Sequence, residues 1–376
     1  GALWVASNLT PVDFQSALGL IAGLVCLTLG AEWLVRGAST VAARLGIAPI
    51  IIGLTVVAFG TSAPEFAVSI GGALTDNADV ALGNVVGSNI LNILLVLGLS
   101  AAIGSLTIEQ RIIKRDIPIL MAMSLVAYGL VLNESLHRLE GAALFVGLLG
   151  YLWWLLRDAR RADSTKTPAA GEVAELLEGS MATKPLTFQI GLIVVGLALL
   201  VAGSRLLVGS ATQIAEAFGV SDLIIGLTVV AAGTSLPELA TSVMAAYRGQ
   251  RDIAVGNVVG SNIFNILGVL GASAALAPSG IAVDRELIRL DFPVMLAATL
   301  VLIPICWNGF AIKRWEGALL AAFYVAYVAY LVMESGENTS PQVFRSAMLI
   351  GVPLVMAAYF ASGWRGWQKY RLSQKP

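Results

Sequence analysis

The chain has 376 residues, 57% of them hydrophobic and only 12% charged, with a formal net charge of −1 and a mean hydropathy of +0.83. A soluble domain carries about 25% charged residues, and so apolar a chain lacks the polar surface to cover a core in water. The balance excludes a soluble globular protein, offers no basic excess for nucleic acid, and points to an all-α polytopic membrane protein.

Apolar runs of roughly 20 residues, long enough to cross a bilayer as helices, recur along the whole length. In chain order they occupy 14–41, 47–73, 80–103, 115–133 and 138–157, then 187–215, 221–246, 253–276, 288–307 and 314–333. A further stretch, 343–363, reads as an eleventh span. The first run is too long for a cleavable signal peptide and leads straight into further spans. Between the fifth and sixth runs, the polar, mixed-charge stretch 157–184 is the one credible linker. The expected organisation is a first repeat at 1–157, a cytoplasmic linker at 158–186, a second repeat at 187–333, and an extra C-terminal helix and tail at 334–376.

The halves repeat. GLTVVAFGTSAPEFAVS (53–69) returns as GLTVVAAGTSLPELATS (226–242), and GNVVGSNILNILLVLG (83–98) as GNVVGSNIFNILGVLG (256–271). At an offset of 173, residues 53–101 and 226–274 share 32 identities in 49 positions. Five spans per repeat is an odd number, so the second copy enters the membrane from the opposite side. Two inverted five-helix repeats about a pseudo-two-fold axis in the membrane plane then form a ten-helix core. When the loops are assigned in turn, the side opposite the N-terminus receives 18 of the 23 Lys and Arg residues. The positive-inside rule therefore places the N-terminus outside and the linker in the cytoplasm, in a cell inner (plasma) membrane. If 343–363 does not cross, the ratio falls to 14 against 9 with the same orientation.

GTSAPEF (60–66) and GTSLPEL (233–239) each set a proline beside a glutamate inside a long apolar segment. A helix interior disfavours the proline and lipid disfavours the acid. One explanation is local: Ser62-Ala63-Pro64-Glu65 and Ser235-Leu236-Pro237-Glu238 fit a Ser-x-x-Glu capping box with proline in the first turn. Their location adds another. Both helix starts fall mid-span, where non-helical backbone is tolerated only inside protein or against a wet cavity. An ionised carboxylate there costs several kcal/mol unless a cation neutralises it. The repeat symmetry brings the two sites to one interface, so Glu65 and Glu238 are expected to share a cation.

Thr61, Ser62, Thr234 and Ser235 add hydroxyls, and the breaks at Ala58–Gly60 and Ala231–Gly233 are expected to free backbone carbonyls. Asn84, Ser88 and Asn92 lie four apart on one helix face, as do Asn257, Ser261 and Asn265. The glycine pairs Gly83/Gly87 and Gly256/Gly260 let that helix approach a neighbour closely. For Asn84, Asn89, Asn257 and Asn262, interhelical hydrogen bonding and ligation both remain open, whereas Ser88, Asn92, Ser261 and Asn265 are expected ligands. Oxygen donors without histidine or thiol suit Ca²⁺ and Na⁺ rather than zinc or copper. One Ca²⁺, or two or three Na⁺, offset two carboxylates, and competition at one alternately exposed site is antiport. Protons can compete for the same empty pair. A hydrolase using Ser62 or Ser235 lacks a base, because His137 lies in a polar link outside both motifs.

The other polar outliers read as structural. Cys26 and Cys306 are small hydrophobes, Asp116 and Asp291 precede Ile-Pro and Phe-Pro as helix caps, and Glu32 and Arg205, at matching places in the first and sixth spans, read as snorkelling to the interface, with a response to gating as the alternative.

The GTS-x-PE and GNVVGSN stretches resemble the α-repeat signatures of the Ca²⁺:cation antiporter superfamily, in its sodium/calcium exchanger branch of bacterial and archaeal type. The resemblance covers residues 14–333 and implies ten helices in two inverted halves around a midplane site, with 14–41 and 187–215 sliding as a gate. By position it implies a ligand set of the Ala58 carbonyl, Thr61, Ser62, Glu65, Ser88 and Asn92, with the Ala231 carbonyl, Thr234, Ser235, Glu238, Ser261 and Asn265. Glu65 and Glu238 would serve both Ca²⁺ and Na⁺. Proton-coupled relatives carry Gly-Asn-x-x-Glu where this chain has Gly-Thr-Ser-x-Pro-Glu, which implies sodium coupling; the alternative is an H⁺/Ca²⁺ (or other divalent) antiporter at the same site. Asn265 stands where some members carry aspartate, which leaves the Na⁺ count and any potassium role open. The expectation is an ion antiporter rather than an enzyme, with no cofactor and no protein partner, acting on Ca²⁺ and Na⁺ within the lipid bilayer.

Overall fold

The computed structural model describes residues 14–45, 48–74, 78–162, 184–217, 231–307 and 310–334. The stretch 343–363, most of the 157–184 linker and the start of the 221–246 span lie outside the described residues. Nearly everything described is helical. Helix α1 (Phe14–Leu45) is followed by α2 (Pro49–Thr61), α3 (Ala63–Leu74) and α4, which runs through Ala78–Leu91, Asn92–Val96 and Leu97–Ile103. After the two-residue strand β1 (Leu106–Thr107) come α5 (Ile112–Asp116, Ile117–Val131), β2 (Ser135–Leu136) and α6 (Arg138–Ala162). The second half follows the same order: α7 (Leu186–Ala217), α8 (Ala231–Thr234), α9 (Leu236–Tyr247) and α10 (Arg251–Leu276), then β3 (Ile281–Ala282). Helix α11 (Leu287–Asp291, Phe292–Trp307), β4 (Ala311–Ile312) and α12 (Arg314–Glu334) complete it.

Among the described residues, seven helices are long and apolar enough to cross a membrane, and α2 with α3, bent by 47°, make an eighth. Helix α5 carries Lys114, Arg115 and Asp116 in its first turns, which shortens its apolar part to Ile117–Val131. Apolar side chains such as Ile21, Val146, Trp153, Val194 and Val325 stand exposed on α1, α6, α7 and α12. Outward apolar surface of this extent suits a lipid surround.

The core lies around α10. The most apolar stretch of α10 is 100% buried, against 33% for α1 and 28% for α7. Glycine makes that burial possible. A Cβ on Gly256 would fall 2.9 Å from the Ile50 carbonyl oxygen, and one on Gly260 2.9 Å from the Leu54 Cα, so α10 lies backbone to backbone on α2. Two short antiparallel ladders close the ends: β1 pairs with β4 (Leu106 opposite Ile312), and β2 with β3 (Ser135 opposite Ala282). Each ladder joins a loop of one half to a loop of the other.

Helices α4, α5, α10 and α11 each contain a π-helical turn, at Asn92–Val96, Ile112–Asp116, Phe264–Leu270 and Leu287–Asp291. Such turns leave the preceding residues helical, which corrects the reading of Asp116 and Asp291 as helix caps. Asp116 has no free amide to cap and makes no side-chain cap bond. Its buried carboxylate instead accepts from the Tyr151 hydroxyl at 3.4 Å, and Asp291 accepts from Tyr327 at 2.6 Å. Glu32 also has more to do than snorkel: it pairs with Arg36 on its own helix and with Arg248 beyond the end of α9.

Candidate cation site

The two broken segments meet at the centre of the molecule. Ser62, with φ −80° and ψ 7°, divides α2 from α3, and Ser235, with φ −91° and ψ 8°, divides α8 from α9. Both leave helical geometry at the same point of the repeat, where the following proline cannot donate to the preceding turn. The backbone resumes at once, through Phe66 N to Ser62 O at 3.1 Å and Leu239 N to Ser235 O at 3.0 Å.

The hydroxyls of these serines reach across to the other half. Ser62 Oγ donates to Glu238 Oε1 at 2.9 Å, and Ser235 Oγ donates to Glu65 Oε1 at 2.9 Å. The expected capping box is absent at Ser235, which makes no side-chain cap bond. The Oγ–H is turned instead to the glutamate of the opposite half, a buried acceptor. Glu65 and Glu238 are both fully buried. Among the described residues no ion pair reaches either carboxylate.

The same crosswise wiring extends outward. Thr61 Oγ1 donates to Asn257 Oδ1 at 3.1 Å, and Thr234 Oγ1 to Asn84 Oδ1 at 3.2 Å. Asn257 Nδ2 donates to Ser242 Oγ at 2.9 Å, and Asn84 Nδ2 to Ser69 Oγ at 2.9 Å. Ser88 Oγ donates to Ser235 Oγ at 3.0 Å, and Ser261 donates to Glu238 Oε1 at 3.4 Å. Asn92 and Asn265 open or sit within the π turns of α4 and α10, and π turns commonly mark functional positions because they re-aim side chains.

The structure thus gathers ten of the twelve expected ligands by their side chains. The two carbonyls behave differently. The Ala58 carbonyl is not freed, because it keeps the Ser62 amide at 3.0 Å, with Thr61 Oγ1 3.3 Å away. In the second half the Ser235 amide turns to Ala232 at 3.2 Å rather than to Ala231. Ser204 on α7 also donates to the Gly233 carbonyl beside the break. Atoms left over there, buried without a hydrogen-bond partner, are Glu65 Oε2, Glu238 Oε2, Asn92 Oδ1 and Asn265 Oδ1, with Asn262 Nδ2 beside them. Four of these five are oxygens. A cluster of unpartnered acceptors without a thiol or imidazole is suited to a hard cation. Sequence reasoning left Asn84, Asn89, Asn257 and Asn262 undecided, and the structure ties each of them across the interface between halves.

The sequence profile of the sodium/calcium exchanger protein family matches residues 15–157 and 188–333, so it spans both halves and the whole cluster. The chain belongs to the sodium/calcium exchanger family. It is accordingly a multi-pass membrane protein of an antiporter family, not of a family of catalysts. Within that family it is 38% identical over 318 residues to the inner membrane protein YrbG of Escherichia coli, covering 83% of this chain and 95% of the relative. It is 36% identical over 346 residues to the sodium/calcium exchanger MaX1 of Methanosarcina acetivorans, covering 83% of this chain and 97% of that one. A solved structure of the sodium-calcium exchanger NCX_Mj, soaked with 10 mM Na⁺ and 10 mM Sr²⁺, superposes with a TM-score of 0.72 at 30% identity. The match covers 84% of this chain and 98% of NCX_Mj.

Proposed function

We propose that this member of the family is a secondary active transporter that exchanges Na⁺ for Ca²⁺ by alternating access, the two ions competing for a midplane site built on Glu65 and Glu238. One observation carries the proposal: both Oε2 atoms are buried and unpartnered in a cluster that no described cation enters. Kept ionised, two such carboxylates need a cation, because a buried unpaired carboxylate is strongly destabilising. The hydroxyl and amide oxygens of Thr61, Ser62, Ser88 and Asn92, with Thr234, Ser235, Ser261 and Asn265, fill the remainder of a Ca²⁺ or Na⁺ shell. The Ala58 and Ala231 carbonyls join it once an ion competes for their second lone pairs.

The fold takes its place in this proposal as two inverted five-helix repeats. The two ladders support that layout: β1–β4 joins loops that the charge count puts in the cytoplasm, and β2–β3 joins loops that it puts outside. The N-terminus then faces outward and the 157–184 linker inward, in a cell inner membrane like that named for YrbG. Alternating access falls to α1 and α7, two little-buried spans that pack against each other. They cross at glycine: a Cβ on Gly30 would lie 2.8 Å from the Gly196 carbonyl oxygen, and one on Gly196 2.8 Å from that of Gly30. Helix α7 reaches the site through Leu197 against Gly60 and Val208 against Gly233, so a slide of the pair acts on both broken turns.

The test uses inverted vesicles loaded with Na⁺ and bathed in radioactive Ca²⁺. Uptake is expected to follow an outward Na⁺ gradient and to ignore an imposed pH gradient. Uptake indifferent to Na⁺ contradicts the proposal.

A further inference from the structure

We infer that Asn89 and Asn262 are positioning residues that fix the amides of Asn265 and Asn92 with their oxygens toward the ion, an inference that rests on the reading of the cluster as the cation site. The bonds are reciprocal. Asn92 Nδ2 donates to Asn262 Oδ1 at 3.2 Å, and Asn265 Nδ2 donates to Asn89 Oδ1 at 3.2 Å. All four side chains are buried. An asparagine amide has two opposed ends, an oxygen that ligates a cation and an NH₂ that repels one. Left free, it turns either end toward the site. Here the NH₂ end of each ligand is held by the other half, and the oxygen end is what remains: Asn92 Oδ1 and Asn265 Oδ1 are both buried and unpartnered.

Simple interhelical glue does not account for this pattern. Glue satisfies buried polar atoms, whereas here the two amide oxygens left unpartnered belong to the same cluster as the unpartnered Oε2 atoms of Glu65 and Glu238. Asn89 is itself anchored, its Nδ2 pointing to the Asn262 carbonyl at 3.5 Å and to Met295 Sδ at 3.7 Å. Asn89 and Asn92 are one helical turn apart, as are Asn262 and Asn265, so two amide bonds cross the interface side by side. Neither half can shift at this level without releasing both amides.

The test is a pair of mutant cycles in reconstituted vesicles, read as the Ca²⁺ concentration for half-maximal exchange and as turnover at saturating Ca²⁺. Asn262→Leu removes the acceptor at nearly constant volume and is expected to raise half-saturation about tenfold, with saturated turnover held within about twofold. In an Asn92→Ala background the same change is expected to add less than about twofold, because the amide it orients is gone. Asn89→Leu is expected to behave likewise against Asn265→Ala. Should leucine prevent folding, Asn262→Ala removes the same acceptor and enters the same cycle. Effects that multiply in the double variants, or an unchanged half-saturation in Asn262→Leu, overturn the positioning role. If Asn92→Ala is silent while Glu65→Gln abolishes exchange, positioning fails and the cation site stands. If Glu65→Gln leaves Ca²⁺ exchange intact, the site itself fails and the inference falls with it.

Discussion

Gly260 is where the packing of the fold and the geometry of the site meet. An added Cβ would fall 2.8 Å from the Ala58 Cβ, 2.9 Å from the Leu54 Cα and 3.0 Å from the Leu54 carbonyl oxygen. Ordinary carbon contacts lie at about 3.5–4.0 Å, so Gly260→Ala must part α2 and α10 by about 0.5–1 Å. Backbone and a bare alanine methyl stand in the way, and no rotamer change relieves them. Overpacking of this kind costs about 1–3 kcal/mol, only partly offset by the gain of about 1 kcal/mol when alanine replaces a helical glycine. The displacement falls on the adjacent Ser261, whose bond to Glu238 is already long at 3.4 Å. Gly260→Ala is therefore expected to melt several degrees below wild type in detergent and to need more Ca²⁺ for half-maximal exchange. Gly150→Ala on α6, where a Cβ meets nothing within 4 Å, serves as the control and is expected to be neutral or slightly stabilising. Wild-type melting and wild-type Ca²⁺ dependence in Gly260→Ala would refute the reasoning.

Thr61→Val keeps the shape of the side chain but strands Asn257 Oδ1, and is expected to cost about 1–3 kcal/mol in thermal unfolding; Asn257→Leu added to it should restore part of that loss. Tyr327→Phe removes a 2.6 Å bond to Asp291 and is expected to destabilise more than Tyr151→Phe, which removes a 3.4 Å bond to Asp116. Equal melting temperatures for the two would contradict this ranking. Arg248→Ala breaks the partly exposed pair with Glu32 and is expected to change stability by less than about 1 kcal/mol, an effect that fades further at high salt.

Much of the fold is legible in hydropathy because a bilayer demands helices of one length. The offset of 173 went further: it names the partners Thr61 and Thr234, Ser62 and Ser235, Glu65 and Glu238 before any contact is seen. What the sequence hides is direction. Ser-x-x-Glu looks like a local cap, and nothing in either half alone tells Ser62 to bond Glu238 rather than its own helix. The four asparagines were undecided for the same reason, since an amide's choice of partner depends on which half lies opposite. The π turns carry no residue signature, and they are why Asp116 and Asp291 reach tyrosines instead of capping helix starts. Glu32 and Arg248 lie 216 residues apart, so only the folded chain brings them together.

The most direct measurement is equilibrium binding of radioactive Ca²⁺ to the purified chain, titrated with Na⁺, in wild type and in Glu65→Gln, Glu238→Gln and the double variant. The account predicts that wild type binds Ca²⁺ and releases it cooperatively to Na⁺, and that each single variant loses most of the binding while still melting as a folded protein. Binding that survives in the double variant, or that Na⁺ does not displace, would contradict it.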